Sequence, residues 1–239
     1  MTITMRNIFL ALLVTGFFVL NGCGDAPQEA SAAEHGMTED TIDEEVTSSS
    51  EKKDRPRIVF FGNSLTAGYG LDEQYSFPSQ IQHKIDSLGY NYEVVNAGLS
   101  GETTAGGRNR IDWVMEQPME VFVLELGGND VLRGFELTAT RENLAAILDA
   151  VRNKYPEVKL VLAGMEAPPN MGEAYTQEFR EIYQELAVEK KTALIPFLLA
   201  DVGGIKELNL PDRIHPNKDG QVIVANNVWQ VLAPLLEKR

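Results

Sequence analysis

Four short segments hold the residue types that an acyl-transfer site needs: a nucleophile, donors for a developing oxyanion, and a base. In the segment Phe61 to Gly70, Ser64 sits in a glycine-punctuated turn. A hydroxyl held out on such a turn suits a nucleophile, although a turn or helix-capping serine is the commoner meaning of the segment taken alone. In the segment Asn96 to Thr104, Gly98 has no side chain to keep a reacting oxygen from its N–H, or it is a simple turn glycine. In Gly127-Gly128-Asn129-Asp130, the Asn129 amide could donate toward the same oxygen, or cap a helix.

The base is found by elimination. The chain has three histidines. His35 lies in an acidic, low-complexity stretch, and His83 lies between Gln82 and Lys84 on an expected helix face. His215 lies in a loop with Asp212 three residues upstream, close enough for a turn to bring carboxylate and imidazole together. An Asp on one ring nitrogen leaves the other free to accept a serine proton, while a surface ion pair is the plainer alternative.

These residues need a frame that brings them to one place. Apolar runs rich in β-formers at 58–61, 92–95, 121–126, 158–163 and 193–195 read as strands. Helical periods fall at 76–88, 140–153 and 173–190, and a last helix is expected to start at Pro216, proline being favoured in a first turn. Apolar strands alternating with helices predict a three-layer α/β/α domain around a five-stranded parallel sheet. Ligands in such sheets bind beyond the carboxyl ends of the strands, where the first three segments lie. Glu125, charged within an apolar strand, is expected to organise these loops rather than to react.

The amino terminus reads as an address. Arg6 precedes an apolar run at 8–20 that is short for a bilayer span, which takes roughly 20 residues. The following Leu20-Asn21-Gly22-Cys23 resembles the lipobox of bacterial lipoproteins, with Asn21 a less usual choice at its position. The resemblance implies a signal peptide at 1–22, lipid attached to Cys23, and a location in the bacterial cell envelope, periplasmic or at the outer surface. Residues 23–55 read as an acidic tether: positions 24–54 hold ten acids against Lys52 and Lys53. That composition predicts an extended, disordered spacer. The folded domain is expected over 56–239.

Composition narrows the function classes. A net charge of −14 argues against a nucleic-acid partner. One cysteine excludes an internal disulfide framework and a cysteine-rich zinc site, and three histidines exclude a histidine-rich metal cage. No metal or cofactor is expected, and a monomer is the default, since one sheet-and-helix domain satisfies all the expected core.

Taken together, Ser64 in the GxS turn, Gly98, Asn129 in GGND, and Asp212 with His215 in DxxH resemble the blocks of the SGNH, or GDSL, hydrolase family, in the family's order over residues 57–239. The match is similar in detail to the arylesterase, lysophospholipase L1 and thioesterase I subgroup, through the segments 124–130, 132–135, 164–172 and 195–199. The family's Gly-Asp-Ser-Leu reads Gly-Asn-Ser-Leu here, with Asn63 in place of the acid. The resemblance implies a flavodoxin-like SGNH hydrolase fold and a serine esterase acting on aryl or acyl esters, with lysophospholipids or thioesters as further substrates. Ser64, His215 and Asp212 would form the triad. The Ser64 N–H, the Gly98 N–H and the Asn129 amide would hold the oxyanion. Leu65, Leu132, Phe135, Pro168, Met171 and Tyr175 would wall an acyl groove. A carbohydrate acetylesterase, with the same reacting groups and a polar groove, is the alternative enzyme. A non-catalytic binding lipoprotein is the alternative from another class.

Overall fold

The computed structural model describes residues 55–238. The expected signal peptide, Cys23 and the tether up to residue 54 lie outside those residues. Within them, the strands β1 (Arg57–Gly62), β2 (Glu93–Gly98), β3 (Val121–Glu125), β4 (Lys159–Ala163) and β5 (Ala193–Ile195) form one sheet in the order β2-β1-β3-β4-β5. Every pairing is parallel. The helices are α1 (Ser64–Ala67), α2 (Phe77–Ser87), α3 (Thr104–Val114), α4 (Gly128–Leu132), α5 (Leu137–Lys154), α6 (Glu173–Lys190) and α7 (Lys218–Leu232). One face of the sheet carries α2 packed on α7; the other carries α3, α5 and α6 side by side. This is the expected three-layer architecture. Among the described residues, no helix is long and apolar enough to cross a membrane.

The central strands form where the sequence runs apolar without alternation. Ile58 to Phe61 and Val121 to Leu124 are all buried, as strands covered on both faces must be. The edge strand β2 is only half-buried along its length. It also runs on to Gly98, beyond its expected end at Val95.

Register delivers the site. Gly62 at the end of β1 lies beside Gly98 on one side and Glu125 on the other. The next residues of β1, β2 and β3 therefore leave the sheet at one edge. The chain progresses outward to opposite sides from β1 and β3, so the crevice between these two strands is the topological switch point where such sheets bind ligands.

Two elements differ from expectation. Helix α3 was not foreseen, because Gly106 and Gly107 give its first turns poor propensity. It forms because Thr103 caps it, accepting from the Gly106 N–H, and because the Asp130 carboxylate accepts from the Thr104 N–H at 2.9 Å and from its hydroxyl at 2.5 Å. The last helix begins at Lys218 rather than at Pro216. Its cap is Asn217, whose side chain accepts from the Asp219 and Gly220 N–H groups. Pro216 instead forms an antiparallel bridge with Asn209.

Candidate active site

Ser64 opens helix α1 directly after β1. Asn63 is the cap: its Oδ1 accepts from the Leu65 N–H at 2.9 Å. Its other side-chain atom, Nδ2, donates to Glu125 Oε1 at 2.7 Å. Glu125 Oε2 accepts from the Asn63 N–H at 3.0 Å and from the Thr66 hydroxyl at 2.8 Å. Burial raises the Glu125 carboxyl to about 7, against the pull of the Thr66 and Asn63 hydrogen bonds. Gly62 makes room for this arrangement, since a Cβ there would collide with Thr66 Oγ1 and Glu125 Oε2. Glu125 thus organises the nucleophile turn, as expected, and Asn63 serves it as a neutral donor where a carboxyl would compete.

His215 reaches Ser64 from a pinned loop. Leu210 N donates to His215 O at 2.7 Å, and Asn217 N donates to Leu208 O at 2.9 Å, closing the neck. Asp212 folds back inside the loop: its Oδ1 accepts from the Ile214 N–H at 2.9 Å and the His215 N–H at 3.1 Å. Its Oδ2 meets His215 Nδ1 at 2.7 Å, and His215 Nε2 meets Ser64 Oγ at 2.8 Å. With Nδ1–H donated to Asp212, Nε2 is left to accept the serine proton. Burial raises the Asp212 carboxyl, but the His215 ring and the two backbone N–H groups outweigh it and bring it down to about 2. Asp212 is therefore ionised at neutral pH.

The donor groups expected for an oxyanion differ in how free they are. Asn129, on α4, gives one amide hydrogen to the Glu102 carbonyl at 2.9 Å and keeps the other. Gly98 does not fit its expected role. Its N–H already donates to Asn96 Oδ1 at 3.0 Å. Its lack of a side chain has a packing cause instead, because a Cβ there would run into the backbone of Ala67. Gly101 lies next to Glu102, the residue that holds the Asn129 amide, and its carbonyl is fixed by Arg133 Nη2 at 2.9 Å. Among the described residues, nothing accepts the N–H of Gly101 or of Ser64. Gly101, with its unaccepted N–H, is a position that the sequence reading does not single out; the Asn96 side chain that takes up the Gly98 N–H becomes visible only in three dimensions.

The expected wall residues separate into two groups. Leu132, Phe135 and Met171 are exposed at 54%, 44% and 37%; Leu132 ends α4, and all three lie in the segments that follow β3 and β4. Tyr175 is half-buried, and its hydroxyl donates to the Phe135 carbonyl at 3.5 Å, while Pro168 is half-buried nearby in sequence. Leu65 belongs to the core instead, because α1 turns it inward. His83 is exposed on α2, away from this chemistry. A cavity of about 850 Å³ opens where β1 and β4 begin, lined by Arg57, Pro118, Met119, Tyr155 and Pro156, and Ser64 takes no part in it.

A serine paired to a His–Asp couple at the switch point of a five-stranded parallel sheet defines a class, and comparison with known proteins identifies it. The chain belongs to the GDSL-like lipase/acylhydrolase family, whose family model matches residues 60–223. It is 38% identical over 180 residues to the esterase TesA of Pseudomonas aeruginosa, covering 75% of this chain and 89% of that protein. It is 35% identical over 180 residues to the thioesterase 1/protease 1/lysophospholipase L1 of Escherichia coli, covering 75% and 84%. It is 32% identical over 177 residues to the arylesterase of Vibrio mimicus, covering 74% and 88%. The crystal structure of TesA superposes with a TM-score of 0.72 over 75% of this chain and 99% of that one. The psychrotrophic esterase EstA from Pseudoalteromonas superposes with a TM-score of 0.70 at 29% identity, over 74% and 97%. The chain is a carboxylic-ester hydrolase of the SGNH type.

Proposed function

We propose that Ser64, His215 and Asp212 form the catalytic triad of a serine esterase for aryl and acyl esters. The observation that carries this is the unbroken line of short contacts from Asp212 Oδ2 through both imidazole nitrogens to Ser64 Oγ, 2.7 and 2.8 Å. Ser64 Oγ bonds to the ester carbonyl carbon while its proton passes to His215 Nε2. Collapse of the tetrahedral adduct breaks the ester C–O bond, and the leaving alcohol takes that proton. Water then repeats the sequence on the acyl-enzyme. The negative oxygen is held by the Ser64 N–H, the free hydrogen of the Asn129 amide, and the Gly101 N–H in place of that of Gly98.

The exposed apolar side chains of Leu132, Phe135 and Met171, which follow β3 and β4 in the chain, support aryl and apolar acyl groups over sugar acetates, with lysophospholipids and thioesters in the same range. Cys23 carries the lipid anchor of an envelope protein and the domain acts as a monomer; the lipobox-like segment supports the first of these. Several acyl chains at one residue would hold the enzyme at a membrane, where one alone binds only marginally.

The test compares the full-length protein with Ser64→Ala on p-nitrophenyl and naphthyl esters from acetate to palmitate, lysophospholipid and acetylated xylan. Turnover that needs Ser64 supports the reading, and the chain-length profile assigns the substrate class. Turnover unchanged in Ser64→Ala, or none by either protein, contradicts it.

A further inference from the structure

Tyr69 stands over the imidazole of His215. The ring centroids are 4.5 Å apart with the planes 38° from parallel. The residue is fixed by the nucleophile's own turn: α1 ends at Gly68 in the left-handed conformation, and the Tyr69 N–H donates to the Ser64 carbonyl at 3.0 Å. Nucleophile, base and aromatic ring are thereby held in one unit. Tyr69 nevertheless remains half exposed, at 50%. An aromatic left this open contributes little to the core. Its hydroxyl has no hydrogen-bond partner among the described residues, and what meets His215 is the ring.

We infer that Tyr69 is a positioning residue that acts through His215, its ring face stabilising the imidazolium that forms when the base takes the Ser64 proton. The inference rests on the triad reading above. The face of an aromatic ring is electron-rich and attracts a cation centred within about 6 Å. Before the Ser64 proton arrives the ring gains only stacking. In the transition state of acylation, and again in deacylation, the imidazole becomes cationic. The interaction is therefore stronger at the transition state than in the ground state, which is the condition for accelerating a reaction. Asp212 already balances the positive charge at Nδ1, and Ser64 lies at Nε2, so the ring face is the remaining approach that Tyr69 covers. Among the described residues, Asp212, Ser64 and Tyr69 are the side chains with a bond or ring contact to the imidazole.

The experiment replaces Tyr69 in the full chain by phenylalanine, by its mono-, di- and trifluorinated forms, and by leucine. Fluorine withdraws density from the ring face while nearly preserving its shape, so the series separates electrostatics from packing. kcat and KM are measured on a short p-nitrophenyl ester across acid to alkaline pH. Phenylalanine should keep kcat within about twofold of the parent, because the hydroxyl has no partner. Successive fluorines should lower kcat stepwise, by about three- to tenfold across the series, with KM unchanged. Tyr69→Leu should match the most fluorinated form or fall below it. If the leucine variant does not fold, the fluorinated series decides alone. A kcat indifferent to fluorination, or a phenylalanine variant as impaired as the trifluorinated one, overturns the inference while leaving the triad in place. Absence of Ser64-dependent turnover in the parent removes the triad reading and the inference with it.

Discussion

The Asn129 side-chain amide donates to the backbone carbonyl of Glu102, 2.9 Å away across two different strand-end loops. The carboxylate of the same Glu102 is gripped by Arg110, from Nε at 2.8 Å and Nη2 at 2.5 Å. Arg110 is itself held by the Ala97 carbonyl and lies 4.3 Å over the Phe61 ring. The amide proposed as an oxyanion donor is thus held by a loop that a partly buried ion pair fastens to the sheet.

Asn129→Ala removes a donor that matters most when the carbonyl oxygen becomes negative. kcat should fall by about 10²–10³, with KM changed by less than about threefold. Steady-state kinetics on a short aryl ester reads this directly. An equal loss carried by KM alone would contradict the assignment.

Arg110→Ala leaves the Glu102 carboxylate buried and unpaired. The fold should lose about 3 kcal/mol in denaturant unfolding. At temperatures where the variant remains folded, kcat should still drop about tenfold, because Asn129 loses its fixed acceptor. Arg110→Lys should recover only part of both, since lysine cannot reproduce the planar two-point grip.

Asp212→Asn keeps the shape of the His215 contact and removes its charge. kcat should fall by about 10³–10⁴ through loss of the correct tautomer and of the charge that balances the imidazolium. The Asp212 carboxyl is held down at about 2, below its ordinary 3.8. A depressed acid adds stability that is present above the ordinary value and is lost as pH falls through the folded one. The acid-side loss of stability should therefore be smaller in Asp212→Asn than in the parent below pH 3.8. Thermal unfolding in acid buffers measures the difference.

Glu125 has the opposite sign. Burial raises it from 4.5 to about 7, so its stabilising contribution is complete below 4.5 and is lost as pH rises through about 7. Glu125→Gln does not titrate. The stability advantage of the parent over this variant should shrink as pH rises across that window, by up to about 3 kcal/mol. A constant difference across the window would contradict the placement of this carboxyl.

How far the sequence disclosed this arrangement depended on whether the cause was local. The apolar runs of β1, β3 and β4 were legible because parallel strands buried on both faces cannot alternate. Ser64 and Asn129 are legible because each follows a strand at one end of such a sheet, and His215 because the other two histidines lie elsewhere in the pattern, with Asp212 three residues before it. Helix α3 was not, because its N-terminal acceptor Asp130 lies 26 residues away and its own glycines argue against it. Gly98 was read as a donor because β2 was ended too early. With β2 reaching Gly98, its N–H meets Asn96, its Cα meets α1, and the free N–H falls to Gly101. Leu65 is expected in the groove wall and lies in the core, because the direction of a four-residue helix is not written in its composition.

The most direct measurement is stoichiometric labelling with a p-nitrophenyl phosphonate ester, followed by peptide mass spectrometry. One adduct per chain is expected, on Ser64, with p-nitrophenol released in equal amount and esterase activity lost in parallel. The rate of labelling should collapse in His215→Ala. An adduct on another residue, or full activity remaining after Ser64 is blocked, would contradict it.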